Sequence, residues 1–206
     1  MDGNNRWSKK KSITKFFAYK KGANNLIKLS DFIFNNSKTN FISAFALSKN
    51  NLDRPSSTLN IIKKVLKISL KELDNKKLNF DIHFFGNFNF IDKKSKDLIN
   101  QLNKINNYSK KLYIYINYGG REDIEKAAIN TKSKNNIFKN NLITSSLPDP
   151  DILIRTGGFH RLSNFLLYEI AFTELFFLNK LWPDLNISDL KKIFEKYSII
   201  ERKFGR

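Results

Sequence analysis

Short runs of apolar, β-prone residues alternate along this chain with stretches whose apolar positions recur at helical spacing, and that alternation limits the fold more than any other feature. The strand-like runs are 40–47 (NFISAFAL), 79–85, 111–117 (KLYIYIN), 152–154 (ILI) and 174–178. Amphipathic helices are expected over 20–36, with Leu26, Leu29, Phe32 and Ile33 on one face, and over 58–75, with Leu59, Ile62, Leu66, Leu70 and Leu73. The Ser/Thr cluster before residue 58 reads as the start of the second of these. Further helices are expected over 93–106, 121–130 and 188–199. Strands alternating with helices predict an α/β protein, a single domain over 1–206 with a mainly parallel central sheet surrounded by helices. In such sheets ligands bind beyond the carboxyl ends of the strands, which is where Ser48, Asn51, Arg54, Gly119, Gly120, Arg121 and Arg155 fall.

The segment 148–175 (PDPDILIRTGGFHRLSNFLLYEIAFTEL) is the densest in chemistry. A buried strand is expected to deliver Arg155 to a glycine pair and a basic cluster, His160-Arg161, after which Ser163 opens an apolar helix. Arginine forks, close backbone approach at glycine and the N–H groups of a helix start together suit an anion. An ordinary strand, loop and helix with solvated arginines would have the same sequence.

Charge sharpens the question of partner. The formal net charge of +18 fits nucleic acid, an acidic membrane surface or phosphorylated small molecules. It fits equally a compositional drift, because lysine and asparagine are spread over the whole chain and form no basic block. The absence of cysteine excludes a disulfide framework, a thiolate metal site and a cysteine nucleophile. No apolar run approaches the roughly 18 residues that span a bilayer, so a cytoplasmic protein with at most peripheral membrane contact is expected.

Common catalytic signatures are missing: there is no P-loop, G-x-S-x-G, G-x-G-x-x-G or H-E-x-x-H. Of the two histidines, His83 falls in a strand and reads as structural, while His160 lies in the predicted ligand loop. What remains is a set of arginines and carboxylates beside turns. Asp2, in a Gly/Asn turn next to Arg6, is a candidate ligand for a hard cation such as Mg²⁺, which commonly bridges to substrate phosphates. Glu174 stands between Phe172 and Phe176, where an ionised carboxylate needs a partner or a metal. Arg54, Arg155 and Arg161 are candidate phosphate clamps.

In order, DGNNRW at 2–7, Ser48 with Asn51 and Arg54-Pro55, NYGGR at 117–121, DILIRTGG at 151–158, RLSNFLL at 161–167, Glu174, LWPD at 181–184 and ERKFG at 201–205 resemble the cis-prenyltransferases, bacterial undecaprenyl diphosphate synthases above all. The resemblance implies a homodimer and Mg²⁺-dependent condensation of isopentenyl diphosphate onto an allylic diphosphate such as farnesyl diphosphate, each new double bond being cis. It implies that Asp2 binds Mg²⁺ and assists departure of the allylic diphosphate, which Gly3, Asn4, Asn5 and Arg6 hold with Trp7 beside it. Ser48, Asn51 and Arg54 would line the reacting centre, Asn51 matching a residue implicated in proton removal. Arg155, Arg161 and Ser163 would grip isopentenyl diphosphate, and Glu174 with His160 would complete the metal site, across the dimer. Helices 20–36 and 58–75 would wall the tunnel for the growing chain.

The sequence departs from the family pattern at Lys15 (arginine in the family), Tyr19 (histidine), Asn50 and Leu52 (glutamate and tryptophan), Phe159 (glutamate) and Lys203 (arginine). The family also carries a strand before D-G-N, so a further strand is expected upstream of Met1. Two other readings are a non-catalytic partner subunit of a heteromeric prenyltransferase and a basic nucleic-acid-binding protein. The retained D-G-N motif favours an active enzyme over the first. The second would leave Asp2, Glu174 and the glycine turns without a role.

Overall fold

Three parallel strands carry the centre of the protein. In this computed structural model, which describes residues 1–131 and 137–202, β1 (Phe41–Ser48), β2 (Asp81–Gly86) and β3 (Lys111–Tyr118) form one sheet in the order β1-β3-β2. Phe41 and Asp81 both pair with Lys111 in register. Two further strands, β4 (Ile152–Arg155) and β5 (Glu174–Phe177), form a separate parallel pair. All five strands are therefore parallel as expected, but they make two sheets where a single one was expected. No described strand bridges β4 to the larger sheet.

Side-chain alternation along β3 explains why it takes the middle. Leu112, Ile114 and Ile116 face one apolar cluster, while Tyr113 and Tyr115 face another, which Tyr118 joins where the alternation breaks at Asn117, φ 52°. Strand β4 shares both, Ile154 packing on the first cluster and Leu153 on the second, although its four residues are only half-buried and not enclosed as expected.

The described helices are α1 (Asn4–Lys10), α2 (Lys15–Asn36), α3 (Ser56–Asp74), α4 (Lys93–Lys104), α5 (Gly120–Asn130) and α6 (Ile187–Ser198), and α2, α3, α4 and α6 cover the first cluster. Leu26, Leu29 and Phe34 of α2, Leu70 of α3 and Ile99 of α4 are buried there. Removing a side chain as enclosed as Leu70 would cost about 2–5 kcal/mol, from lost transfer energy and the cavity left behind.

Local chemistry sets the ends. Thr14 accepts from the Phe17 N–H to start α2 earlier than the apolar pattern indicates, and Asp92 accepts from the Ser95 N–H to start α4 at Lys93 as expected. Helix α3 begins after Pro55 with no side-chain cap, so the Ser/Thr cluster lies inside it. The polar stretch after β1 closes into a 3₁₀ turn, Lys49–Asp53. Part of the expected Lys/Asn-rich loop, 132–136, and most of ERKFG with Lys203 lie outside the described residues.

The predicted helix opened by Ser163 does not form. Residues 163–172 are turns, and Ser163, Asn164 and Leu166 have φ of 52°, 65° and 44°. A distant demand overrides the local pattern. Helix α5 follows Gly119, which has no side chain to cap it, so the Asn164 carbonyl Oδ1 accepts from the Arg121 N–H while Asn164 Nδ2 donates to Glu122 Oε2. The Gly120 N–H donates to the Asn164 backbone carbonyl as well. The apolar residues of the segment are still used, since Leu166, Ile170 and Phe165 pack in the tyrosine cluster.

Candidate active site

The carboxyl end of β4 and the turn before α1 meet at one point. The Asp2 N–H donates to Thr156 Oγ1, and that hydroxyl donates to the Asp2 carbonyl, both at 3.0 Å. The Trp182 N–H donates to the same carbonyl at 2.9 Å. Thr156 is only 1% exposed, so the backbone of Asp2 is clamped from below while its carboxylate stays 39% exposed. Two arginines reach that carboxylate. Arg155 Nη2 lies 3.3 Å from Oδ2 and Arg6 Nη2 lies 3.6 Å from Oδ1.

Two glycines permit this. Gly3 has φ +110° and a Cβ there would stand 2.8 Å from Leu181 Cδ2. Gly157 has φ +95°, and a Cβ would stand 2.5 Å from Arg6 Nη2 and 3.2 Å from Asp2 Cβ, so any larger residue would push the arginine and the carboxylate away.

Beyond the glycines the chain returns over the site. Arg155 Nη1 donates to Ser163 Oγ at 2.8 Å and to the Arg161 carbonyl. The guanidinium carbons of Arg161, Arg6 and Arg155 stand 4.3, 4.8 and 5.6 Å from the centre of the Phe159 ring. Asp2, Arg6, Arg155, Arg161 and Ser163 thus form one cationic rim around one carboxylate.

A second wall comes from β1. Asn51 Nδ2 donates to Ser48 Oγ at 2.6 Å, and Arg54 Nη1 donates to the Tyr19 hydroxyl at 2.8 Å. Lys15 Nζ donates to Thr58 Oγ1 at 3.0 Å. Burial raises the Tyr19 phenol above its ordinary pKa, opposed by Arg54 and assisted by the nearby Asp2 charge. At the departures Lys15 and Tyr19 the cationic wall is therefore kept, with a phenol holding the arginine.

Behind this rim lies an apolar cavity of about 410 Å³ between α2, α3 and the sheet. Its walls include Leu26, Ile62, Leu66, Leu70 and Ile116, and Met1, Asn4 and Tyr19 line it beside Asp2. Asn4 faces this cavity, its Oδ1 buried without a hydrogen-bond partner, while Asn5 is exposed.

Other expected residues stand elsewhere. Trp7 is buried and its indole N–H donates to Asp184 Oδ1 at 2.7 Å, tying α1 to the LWPD segment. His160 is exposed and packs on Phe177 with the rings tilted by 32° and centroids 5.1 Å apart. Glu174 opens β5 opposite Ile152, whereas Arg155 pairs with Phe177 at the other end, about 10 Å further along the strand. Among the described residues no three His, Cys, Asp or Glu side chains gather as a metal cluster.

The chemistry of the donors still suits Mg²⁺ with a substrate present. That ion is usually held by one or two carboxylates together with phosphate oxygens, and Asp2 offers a partly exposed carboxylate beside arginines. Sequence reasoning missed Thr156, whose only signal was its place between Arg155 and Gly157, and it missed the cap supplied by Asn164.

Comparison with known proteins agrees over the whole length. Residues 1–205 match the family model described as "Putative undecaprenyl diphosphate synthase". The chain is 36% identical to the isoprenyl transferase of Rickettsia typhi, over 100% of this chain and 95% of that protein. It is 35% identical to the tritrans,polycis-undecaprenyl-diphosphate synthase (geranylgeranyl-diphosphate specific) of Pyrobaculum aerophilum, over 100% and 93%. Lavandulyl diphosphate synthase from Lavandula x intermedia, solved in complex with dimethylallyl diphosphate, superposes with a TM-score of 0.85 at 28% identity, covering 100% of this chain and 95% of that one.

Proposed function

The chain belongs to the undecaprenyl diphosphate synthase family of prenyltransferases, and we propose that it condenses isopentenyl diphosphate onto farnesyl diphosphate to build a long-chain polyprenyl diphosphate such as undecaprenyl diphosphate. The observation that carries this reading is a rim of three arginines around one carboxylate, set beside an apolar cavity of about 410 Å³. A diphosphate and a prenyl tail need those two environments next to each other.

In each cycle the allylic C–O bond breaks and its electron pair leaves with diphosphate. The double bond of isopentenyl diphosphate supplies the pair for the new C–C bond, and a proton then leaves the adjacent carbon. Negative charge grows on the departing oxygens, so guanidinium groups fixed beside them stabilise the transition state more than the ground state. Arg6 and Arg54, with the backbone around Gly3, Asn4 and Asn5, hold the allylic diphosphate. Arg155, Arg161 and Ser163 hold isopentenyl diphosphate, and the Asn51–Ser48 pair stands at the proton to be lost. Mg²⁺ held by Asp2 and substrate phosphates would neutralise the leaving group.

Glu174 and His160 would serve the same metal from a second copy of the chain. An exposed apolar patch at the end of β5 and α6 supports a homodimer: Phe172, Leu175 and Ile199 are 63%, 43% and 83% exposed, and Arg202 joins the segments by donating to the Phe172 carbonyl. No described helix is long and apolar enough to cross a membrane. We place the enzyme in the cytoplasm, its lysine-rich surface allowing peripheral membrane contact, with no nucleic-acid partner.

The test is incorporation of labelled isopentenyl diphosphate into long prenyl product from farnesyl diphosphate, with and without Mg²⁺. Absence of incorporation by the folded full-length protein would overturn the catalytic reading. Salt-sensitive DNA or RNA binding in its place would point to the nucleic-acid alternative.

A further inference from the structure

Phe159 is a large apolar side chain left 37% exposed, and it stands outside both apolar clusters. Its neighbours are cations. Gly157 and Gly158, both left-handed with φ of 95° and 76°, swing the chain at the end of β4 so that the ring comes to lie among three guanidinium groups. Arg161, Arg6 and Arg155 stand 4.3, 4.8 and 5.6 Å from its centre, all within the roughly 6 Å over which an aromatic face attracts a cation.

Three like charges do not gather without a cause. Arg6 and Arg155 share the Asp2 carboxylate, and Arg161 has no ion pair among the described residues. Three positive charges against one negative leave an excess of two at the rim, an arrangement suited to a multiply charged anion and costly without one. The ring quadrupole offsets part of that cost without itself accepting any guanidinium N–H in the plane of the forks. A carboxylate in the same position would also gather the arginines, but it would consume their donors and cancel one charge.

We propose that Phe159 is a positioning residue: its ring holds Arg6, Arg155 and Arg161 at a fixed spacing, so that Arg155 and Arg161 are set for isopentenyl diphosphate, and Arg6 for the allylic diphosphate beside it, before either ligand arrives. The inference rests on the diphosphate reading of this site. Its consequence is lower ordering cost on binding, hence tighter diphosphate capture, with the chemical step untouched.

Titration calorimetry of the full-length protein with inorganic pyrophosphate tests this, alongside steady-state kinetics for isopentenyl diphosphate. Phe159→Leu keeps an apolar side chain and every charge but removes the ring. It should weaken pyrophosphate binding about tenfold, equivalent to about 1.4 kcal/mol, and raise KM for isopentenyl diphosphate similarly with kcat within about twofold. Phe159→Tyr and Phe159→Trp restore a ring and should stay within about twofold of wild type. The proposal is overturned if the leucine variant binds within twofold of wild type, or if the aromatic variants fall as far as leucine does. A wild-type protein that shows no saturable pyrophosphate binding would instead overturn the diphosphate reading of the site, and this inference with it.

Discussion

Arg155 Nη2 lies 3.3 Å from Asp2 Oδ2 although 153 positions separate the two residues. The contact is set from the backbone upward, because Thr156, next to Arg155, clamps Asp2 through its main-chain N–H and carbonyl. The backbone of Asp2 is thereby held still, while its carboxylate oxygens face the two arginines. Asp2→Ala should abolish prenyl transfer, with kcat lower by at least about 10²–10³-fold, the scale of losing one electrostatic group at a reacting centre. The carboxylate is 39% exposed, so thermal melting should be nearly unchanged. Near-normal turnover would remove Asp2 from the proposed role.

Asn164 is expected to matter for stability as well as for shape. It caps α5 across the fold from a left-handed conformation, φ 65°. Asn164→Ala loses the cap and strains the backbone, and should cost about 1–2 kcal/mol in denaturant unfolding. Asn164→Gly relieves the strain and keeps only the cap loss, so it should fall between the two. An alanine variant as stable as wild type would show that α5 needs no cap.

Ser69 lines the apolar cavity, and its hydroxyl is buried without a hydrogen-bond partner. Ser69→Ala removes that unpaired group and should be neutral or stabilising by about 1 kcal/mol, with product length unchanged. Ser69→Phe fills the cavity and should shift the product to shorter prenyl chains, read by thin-layer or mass analysis. Unchanged length in the phenylalanine variant would mean that the tail runs elsewhere.

His83 sets a pH dependence of stability. Burial and then Lys111 lower its pKa below the ordinary 6.5, and its Nε2 is buried without a partner. The unfolded chain therefore binds this proton more readily than the folded one. This contribution is level above about pH 6.5 and turns against the fold as pH falls below it, until the folded pKa is also passed. His83→Gln should flatten the loss of stability in that acid window, measured by denaturant midpoints across pH. An identical pH profile in the variant would assign the loss to other groups.

The parallel α/β arrangement was legible because it rests on patterns only a few residues long. The β-prone run KLYIYIN predicts a strand, and the leucines of 59–73 predict an amphipathic helix. Arg155 and the glycine pair could be read as an anion-binding turn for the same reason. The resemblance to prenyltransferases added the roles of Asn51 and Ser163 and the pairing of tail and diphosphate sites.

What the chain could not disclose locally are bonds between distant positions. The apolar run after Ser163 looks helical, yet Asn164 serves a helix start 43 residues away and bends the segment out of a helix. Trp7 follows Arg6 directly, yet its N–H goes to Asp184, 177 positions on. Phe159 reads as a lost carboxylate until three arginines are seen around its ring. Sequence by itself determined the elements and their polarity, because periodic burial and turn chemistry act within a few residues. Tertiary structure alone decided which side chain answers which charge, because hydrogen bonds and ion pairs depend on distance in space and not on distance along the chain.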